Sequence, residues 1–284
     1  MEQRVAGVVV LFDPAPVVVE NVRSSLHQVD LLVVVDNSAV PVPAVVEPLM
    51  AEARVRYLPN GANLGVARAL NIGAEQALAE GCALLLTLDQ DSRALPGMLT
   101  ELLSCQRSAA GPVGLTAPFL VTRHGDRPPQ APACQPVATA MTSGSLLDLA
   151  AYRAVGPFRE EFFIDFVDIE YSLRLRRAGY RLLRANGALL EHAVGHGVPL
   201  AGGLTVTSHP PLRKYYKTRN RLQVWKEYGE TFPGFCWRDG GRFILELLRL
   251  LLFEPGKGAK LRMLQRGIHD FRCGRFGPYR EECP

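Results

Sequence analysis

Along the N-terminal third of the chain, short uninterrupted apolar runs alternate with stretches whose apolar side chains recur at helical spacing. Val5 to Phe12 and Leu31 to Val35 are dense in Val and Leu, each ends at a polar residue, and Val17 to His27 between them suits a helix. Together they predict a βαβ unit. A second unit follows: a short strand over Arg54 to Leu58, a helix over Gly65 to Glu80 with Val66, Ala69, Leu70, Ile72 and Ala77 apolar, and a buried strand from Ala83 to Leu88 that stops at Asp89. Beyond Ala109 the pattern loosens. Ala109 to Ala140 is rich in Pro and Gly and predicts one strand, Val113 to Val121, with irregular loop around it. Met141 to Leu149 reads as a further strand, Ile169 to Ala178 as a helix with Leu173 and Leu175 among arginines, and the pattern from Leu212 onward is mostly helical. The sum is an α/β chain with a mostly parallel central sheet flanked by helices over residues 1–212, and a helical region over 213–284. No internal repeat occurs, and the only biased tract is the Pro/Val stretch Val40 to Val46.

With 284 residues, 48% of them hydrophobic, the chain can bury a substantial core, which argues against extended disorder. No apolar run reaches the roughly 20 residues a membrane span needs, and MEQRVAGVVVLFDP lacks a basic leader with a cleavage site, so the expected location is the cytosol. The six cysteines, Cys82, Cys105, Cys134, Cys236, Cys273 and Cys283, form no C-x-x-C pair and are expected to be reduced thiols, mostly small buried hydrophobes. The net charge of +4 hides an asymmetry: residues 213–284 hold 16 Lys+Arg against 8 Asp+Glu, leaving 16 against 20 in residues 1–212. Attraction to phosphate-bearing partners therefore belongs to the C-terminal region. Its basic residues are mixed with aliphatic runs rather than exposed aromatics or a nucleic-acid motif, so no nucleic-acid partner is expected. Within it, Arg242 to Phe253 is followed by Lys257, Lys260, Arg262 and Arg266, a pattern of a helix lying at an anionic membrane surface; a core or dimer-forming helix reads the same way.

In parallel sheets, ligands bind at the carboxyl ends of strands, which directs attention to Asp13, Asp36 and Asp89-Gln90-Asp91-Ser92. Two carboxylates one residue apart at a strand end can both reach a hard divalent cation that also holds a diphosphate, although a turn or helix cap uses the same triplet. Asp165, Asp168 and Glu170 lie within six residues at a predicted helix start, where the helix dipole favours them. One can instead serve as the base that accepts a proton from an attacking sugar hydroxyl. His192 can add an imidazole to the metal set, with His196 as a competitor.

Six segments in order carry a family resemblance: Asp36-Asn37-Ser38, Asn60 to Gly73, Leu86 to Ser92, Thr142-Ser143-Gly144-Ser145, Phe163 to Arg176, and Pro211 to Asn220. Spread over roughly residues 4 to 275, they resemble the GT-A glycosyltransferases of family 2, in particular the dTDP-L-rhamnose-dependent rhamnosyltransferases. The resemblance implies a GT-A (nucleotide-diphospho-sugar transferase) fold and an inverting transfer of L-rhamnose from dTDP-L-rhamnose to a saccharide or glycolipid acceptor. It implies that Asp36, Asn63, Gly65, Arg68 and Gln90 border the nucleotide sugar, and that Asp89 and Asp91 meet Mg²⁺ or Mn²⁺ and the diphosphate, with His192 as a late metal ligand. Asp168 matches the catalytic base, with Val167 where the family's usual E-D-x-D has an acid, and Arg213, Tyr215, Tyr216, Arg219 and Asn220 match a segment over the donor phosphates. The acceptor is open among lipid-linked precursors, lipopolysaccharide core and rhamnolipid. Another nucleotide sugar such as a UDP-hexose, or a non-catalytic scaffold in a membrane assembly complex, is the alternative. A dinucleotide-binding dehydrogenase is excluded by Phe12-Asp13-Pro14-Ala15-Pro16, which lacks the glycines a pyrophosphate turn requires.

Overall fold

The computed structural model of the chain describes residues 3–121, 128–129, 131–192, 197–199, 205–207 and 210–281. Two compact units emerge, Met1–Glu160 with Val167–Ala193, and Glu161–Phe166 with Val194–Pro284.

The first unit runs β1 (Val5–Leu11), α1 (Val18–Leu26), β2 (Leu31–Asp36), α2 (Pro43–Met50), β3 (Val55–Pro59), α3 (Val66–Ala79), β4 (Leu84–Asp89), β5 (Ser92–Ala94) and α4 (Met98–Ser108). It continues with β6 (Val113–Val121), β7 (Cys134–Pro136), β8 (Ser145–Asp148), α5 (Leu149–Val155), α6 (Val167–Arg177) and β9 (Arg181–His192). The sheet order is β3-β2-β1-β4-β8-β6-β9-β5, with β7 also on β9. Pairing is parallel from β3 through β4 and again between β6 and β9, while β8 runs antiparallel to both of its neighbours. Every residue of β2 is buried, as expected of a strand covered on both faces, and this is why its sequence shows an apolar run instead of alternation. Helix α3 closes onto the sheet at Gly73, where a Cβ would lie 2.2 Å from Val8 Cγ2. The register sets Leu11 beside Asp36 and Val10 beside Asp89, so the carboxyl ends of β2 and β4 flank that of β1.

Several elements depart from expectation. The Pro/Val tract leads into α2, which starts with Pro43 in its first turn and buries Val45, Val46 and Leu49. The strand expected over Met141 to Leu149 is only Ser145–Asp148, because Asp148 caps α5 by accepting from Ala150 N at 2.8 Å and Ala151 N at 2.9 Å. The expectation of reduced thiols fails for one pair: Cys105 at the end of α4 and Cys134 in β7 form a disulfide, with Cα atoms 5.5 Å apart. Tertiary packing brings them together from 29 residues apart, a spacing that forms no sequence motif. Cys82, Cys236 and Cys273 are free thiols, and Cys283 lies outside the described residues.

The second unit contains the short antiparallel pair β10 (Gly197–Pro199) and β11 (Thr205–Thr207), then α7 (Pro211–Tyr228), α8 (Pro233–Phe253) and α9 (Lys257–Arg272). Helices α7 and α9 approach closely at Gly267, where a Cβ would meet Tyr215 O at 2.6 Å. Among the described residues, no helix is long and apolar enough to cross a membrane.

Candidate active site

Strand β4 ends at Asp89, the chain turns through Gln90 and Asp91, and β5 then pairs antiparallel with β9 in a register that sets Ser92 opposite His192. This pairing carries a histidine from far along the chain to the two carboxylates. Asp89, Asp91 and His192 each present a ligand atom, and these atoms all lie within 4.8 Å of one another. Asp91 is exposed and the other two are half-buried. Ser92 Oγ lies 2.8 Å from His192 Nδ1 and 2.7 Å from Ser143 Oγ, which accepts from Asp89 N at 3.1 Å. Both serines are buried, so a short hydrogen-bonded series fixes the imidazole plane and the end of β4 together. Asp91 Oδ1 lies 3.6 Å from His192 Nδ1. Two carboxylates and an imidazole within one ion's reach fit Mn²⁺ or Mg²⁺ in chemistry and number, with room for further oxygen ligands. Ser143 also lines an adjoining cavity of about 250 Å³ with Pro118, Phe119, Met141 and Arg184.

The residues expected along the nucleotide fall into two groups. Asn63 and Arg68 are exposed. Asn63 Oδ1 accepts from Gly65 N at 3.0 Å, shaping the turn into α3, and Gly65 itself takes φ +84°, a conformation natural only to glycine. Arg68 is bonded to Glu160 at 2.9 Å, and this bond raises its already high pKa. Asp36 and Gln90 are spent on the protein. Asp36 is fully buried, accepting from Ser38 N at 2.8 Å and from the Tyr57 hydroxyl at 2.7 Å. Burial, and then the bond to Asp36, push the Tyr57 pKa well above the usual tyrosine range. Gln90 Oε1 accepts from Phe12 N at 2.9 Å and its Nε2 donates to Phe12 O at 3.2 Å, which fastens the turn after β1 to the Asp89–Asp91 turn. In this structure these two side chains brace the turns around the site.

Of the three acids expected at the start of α6, Glu170 is buried and held by Arg174 at 3.0 and 2.7 Å. Asp168 is half-buried in the first turn, with Oδ1 accepting from Ile169 N at 2.9 Å.

The second unit holds the remaining candidates, and most of them face inward. Tyr215, Tyr216, Arg219 and Asn220 are all buried. Tyr215 donates to Asp270 at 2.8 Å; burial and then this bond push its hydroxyl up to about 12. Tyr216 accepts from Tyr279 N at 2.7 Å and stacks on Phe163. Arg219 donates to Gly277 O, Glu161 O, Phe162 O, Tyr215 Oη and Asn220 Oδ1, between 2.8 and 3.3 Å. Asn220 Nδ2 lies within 2.9 Å of the carbonyl oxygens of Phe162, Ile164 and Asp165. Arg219 and Asn220 therefore clamp residues 161–166, with Tyr216 stacked on Phe163; within this segment Phe163, Asp165 and Phe166 have φ of 65°, 63° and 65°. The hydrogen bonds of Tyr215, Tyr216, Arg219 and Asn220 go to the protein itself. Arg213 is half-buried, and its guanidinium is bonded to both carboxylate oxygens of Asp165.

Sequence reasoning missed Ser92, Ser143, Tyr57 and Glu160 as supports, although the first two lie inside segments it had singled out. His196, the competitor of His192, lies outside the described residues.

Residues 8–108 match the family model for glycosyl transferase family 2. The chain is 28% identical over 197 residues to the dTDP-rhamnosyl transferase RfbF of Shigella flexneri, a match over 61% of this chain and 64% of that protein, so it spans less than two thirds of the relative's length. Among solved structures, GalNAc-T7 with UDP, GalNAc and Mn²⁺ superposes with a TM-score of 0.60 at 15% identity, over 80% of this chain and 49% of that one. A 1–349 fragment of S. aureus TarS superposes with a TM-score of 0.53 at 15% identity, over 96% of this chain and 73% of that one, and the same fragment in complex with UDP with a TM-score of 0.54 at 13% identity, over 94% and 71%. The shared architecture is the mixed α/β sheet flanked by helices with a helical C-terminal region. Residues 8–108 are thus similar to glycosyl transferase family 2, and the chain has a GT-A fold.

Proposed function

We propose that this chain is an inverting glycosyltransferase that moves L-rhamnose from dTDP-L-rhamnose to a hydroxyl of a saccharide or glycolipid acceptor. The observation that carries the reading is the convergence of Asp89, Asp91 and His192 at the ends of β4, β5 and β9. A divalent cation held there supplies positive charge against the diphosphate as it departs. Asp89 and Asp91 would hold it through carboxylate oxygens and His192 through a ring nitrogen, with Ser92 keeping the ring oriented.

Asp168 accepts the proton of the acceptor hydroxyl while that oxygen bonds to the anomeric carbon, and the bond from that carbon to the diphosphate oxygen breaks with its electron pair going to dTDP. One displacement inverts the anomeric configuration and needs no covalent sugar intermediate. The choice among the three acids rests on the family resemblance, in which Asp168 matches the catalytic base. Asn63 and Arg68 are the exposed candidates for the nucleotide side of the site.

The dTDP-rhamnosyl transferase relative favours the rhamnose donor, whereas the UDP complexes of GalNAc-T7 and TarS favour a UDP-sugar as the second reading. Release of nucleoside diphosphate from dTDP-L-rhamnose, UDP-glucose and GDP-mannose, each with Mn²⁺ or Mg²⁺ and again in excess chelator, separates them. Preference for a UDP-sugar overturns the donor, and undiminished turnover in chelator overturns the metal site. Donor binding without turnover on any acceptor class points to a non-catalytic scaffold.

A further inference from the structure

Helix α8 presents an apolar face to the outside. Trp237 is 81% exposed, Ile244 60%, Leu245 64%, Leu248 48%, Leu251 47% and Leu252 64%. At helical spacing these six positions fall on one stripe, running about 25 Å along the helix at 1.5 Å per residue. An isolated exposed leucine is ordinary, but a continuous stripe of this length on one helix is not.

The charges of the helix are sorted around this stripe. Its acids turn inward, each onto a cation: Asp239 onto Arg221 at 3.0 Å, Glu246 onto Arg221 at 3.2 Å, and Glu254, at the helix end, onto Lys214 at 3.0 Å and Lys260 at 2.7 Å. Arg238, Arg242 and Arg249 are exposed, all three along one flank of the stripe, and none makes an ion pair with another described residue. The outer surface of α8 thus combines large apolar side chains with three arginines and no carboxylate.

We propose that this face is a membrane-surface anchor, with α8 lying flat in the interface of a bilayer rich in anionic phospholipid. The stripe sits among the acyl chains and the arginines reach the phosphates, as long basic side chains do at an interface. Charge selects the bilayer over a second copy of the chain. Another copy brings the same arginines and no acid to neutralise them, whereas anionic headgroups supply the missing charge. The anchor holds an enzyme with no membrane-crossing helix among its described residues at the surface where a glycolipid acceptor resides.

The test is flotation of the full chain with phosphatidylglycerol-containing vesicles and with phosphatidylcholine vesicles. Binding to the anionic vesicles is expected at low salt, with release in about 0.5 M salt. Replacing Arg238, Arg242 and Arg249 together by Gln is expected to weaken binding on the order of 100-fold, and Leu245→Glu with Leu248→Glu to abolish it. Every replaced side chain is exposed, so the thermal midpoint is expected to hold. Trp237 gives a second readout independent of any variant's folding. Its emission is expected to shift to the blue and be quenched by brominated lipid, while Trp225, half-buried and bonded to Asp239 at 2.8 Å, stays unchanged in Trp237→Phe. No flotation at low salt, or Trp237 emission unmoved by anionic vesicles, overturns the proposal. So does a dimer that Leu248→Glu dissociates in the absence of any vesicle binding.

Discussion

In the first unit Asp89, Asp91 and His192 converge with ligand atoms within 4.8 Å of one another, whereas in the second Tyr215, Tyr216, Arg219 and Asn220 turn their polar atoms inward onto backbone and side-chain partners. The two sets look alike in sequence: charged and hydrogen-bonding residues in a compact segment. Burial separates them. A guanidinium that is 0% exposed and bonded to three carbonyl oxygens has little capacity left for a ligand, while an exposed carboxylate at a strand end can still accept a metal. Removing a member of the first set should cost function and spare stability, and removing a member of the second should do the reverse.

The largest expected effect is on turnover. Asp91→Ala is expected to lower kcat/KM on the order of 10³-fold while moving the thermal midpoint by no more than about a degree, because the side chain is exposed. A large fall in midpoint would place Asp91 among the holding groups and dissolve the contrast. Next comes Arg219→Ala, which strips donors from Glu161, Phe162 and Gly277 and is expected to cost about 3 to 5 kcal/mol. Urea unfolding followed by tryptophan emission reads that loss. An unchanged midpoint together with weakened donor binding would return Arg219 to the phosphates.

Asp168→Asn sharpens the functional half: turnover is expected to drop on the order of 10²-fold with donor affinity little changed. Should Asp165→Asn abolish turnover with folding intact while Asp168→Asn stays active, the base lies three residues upstream. Asn220→Ala is a smaller version of the arginine change. It leaves three carbonyl groups short of a donor and is expected to cost about 1 to 3 kcal/mol.

The smallest effect is a pH dependence within the second unit. Burial alone would raise the carboxyl pKa of Glu254, but the hydrogen bonds from Lys260 and Lys214 outweigh it and leave it below the usual range. A folded-state value depressed below the unfolded one contributes stability above the unfolded pKa and loses it as pH falls through the folded one. Denaturation midpoints are therefore expected to fall with pH below about 4, and Glu254→Gln to flatten that slope.

How much of this was legible in the sequence follows the same division. Asp89 and Asp91 could be found because the strand before them is an uninterrupted apolar run that ends where the chemistry begins. The partnership with His192 depends on the pairing of β5 with β9, and a three-residue strand such as β5 leaves almost no periodic signal. Burial of Asp36 and Arg219 could not be read either, since a motif gives the identity of a charged residue and not whether its partner is protein or ligand.

Residues 163–166 store their shape at a distance. Three of the four take a left-handed backbone conformation that costs about 1 to 2 kcal/mol per L-residue, and none of them is glycine. A peptide copied from this stretch would revert to extended or right-handed forms, because what holds it is the Asn220 amide, 55 residues beyond Asp165. During synthesis, then, this turn waits as an unwritten line until α7 has left the ribosome and folded back against it.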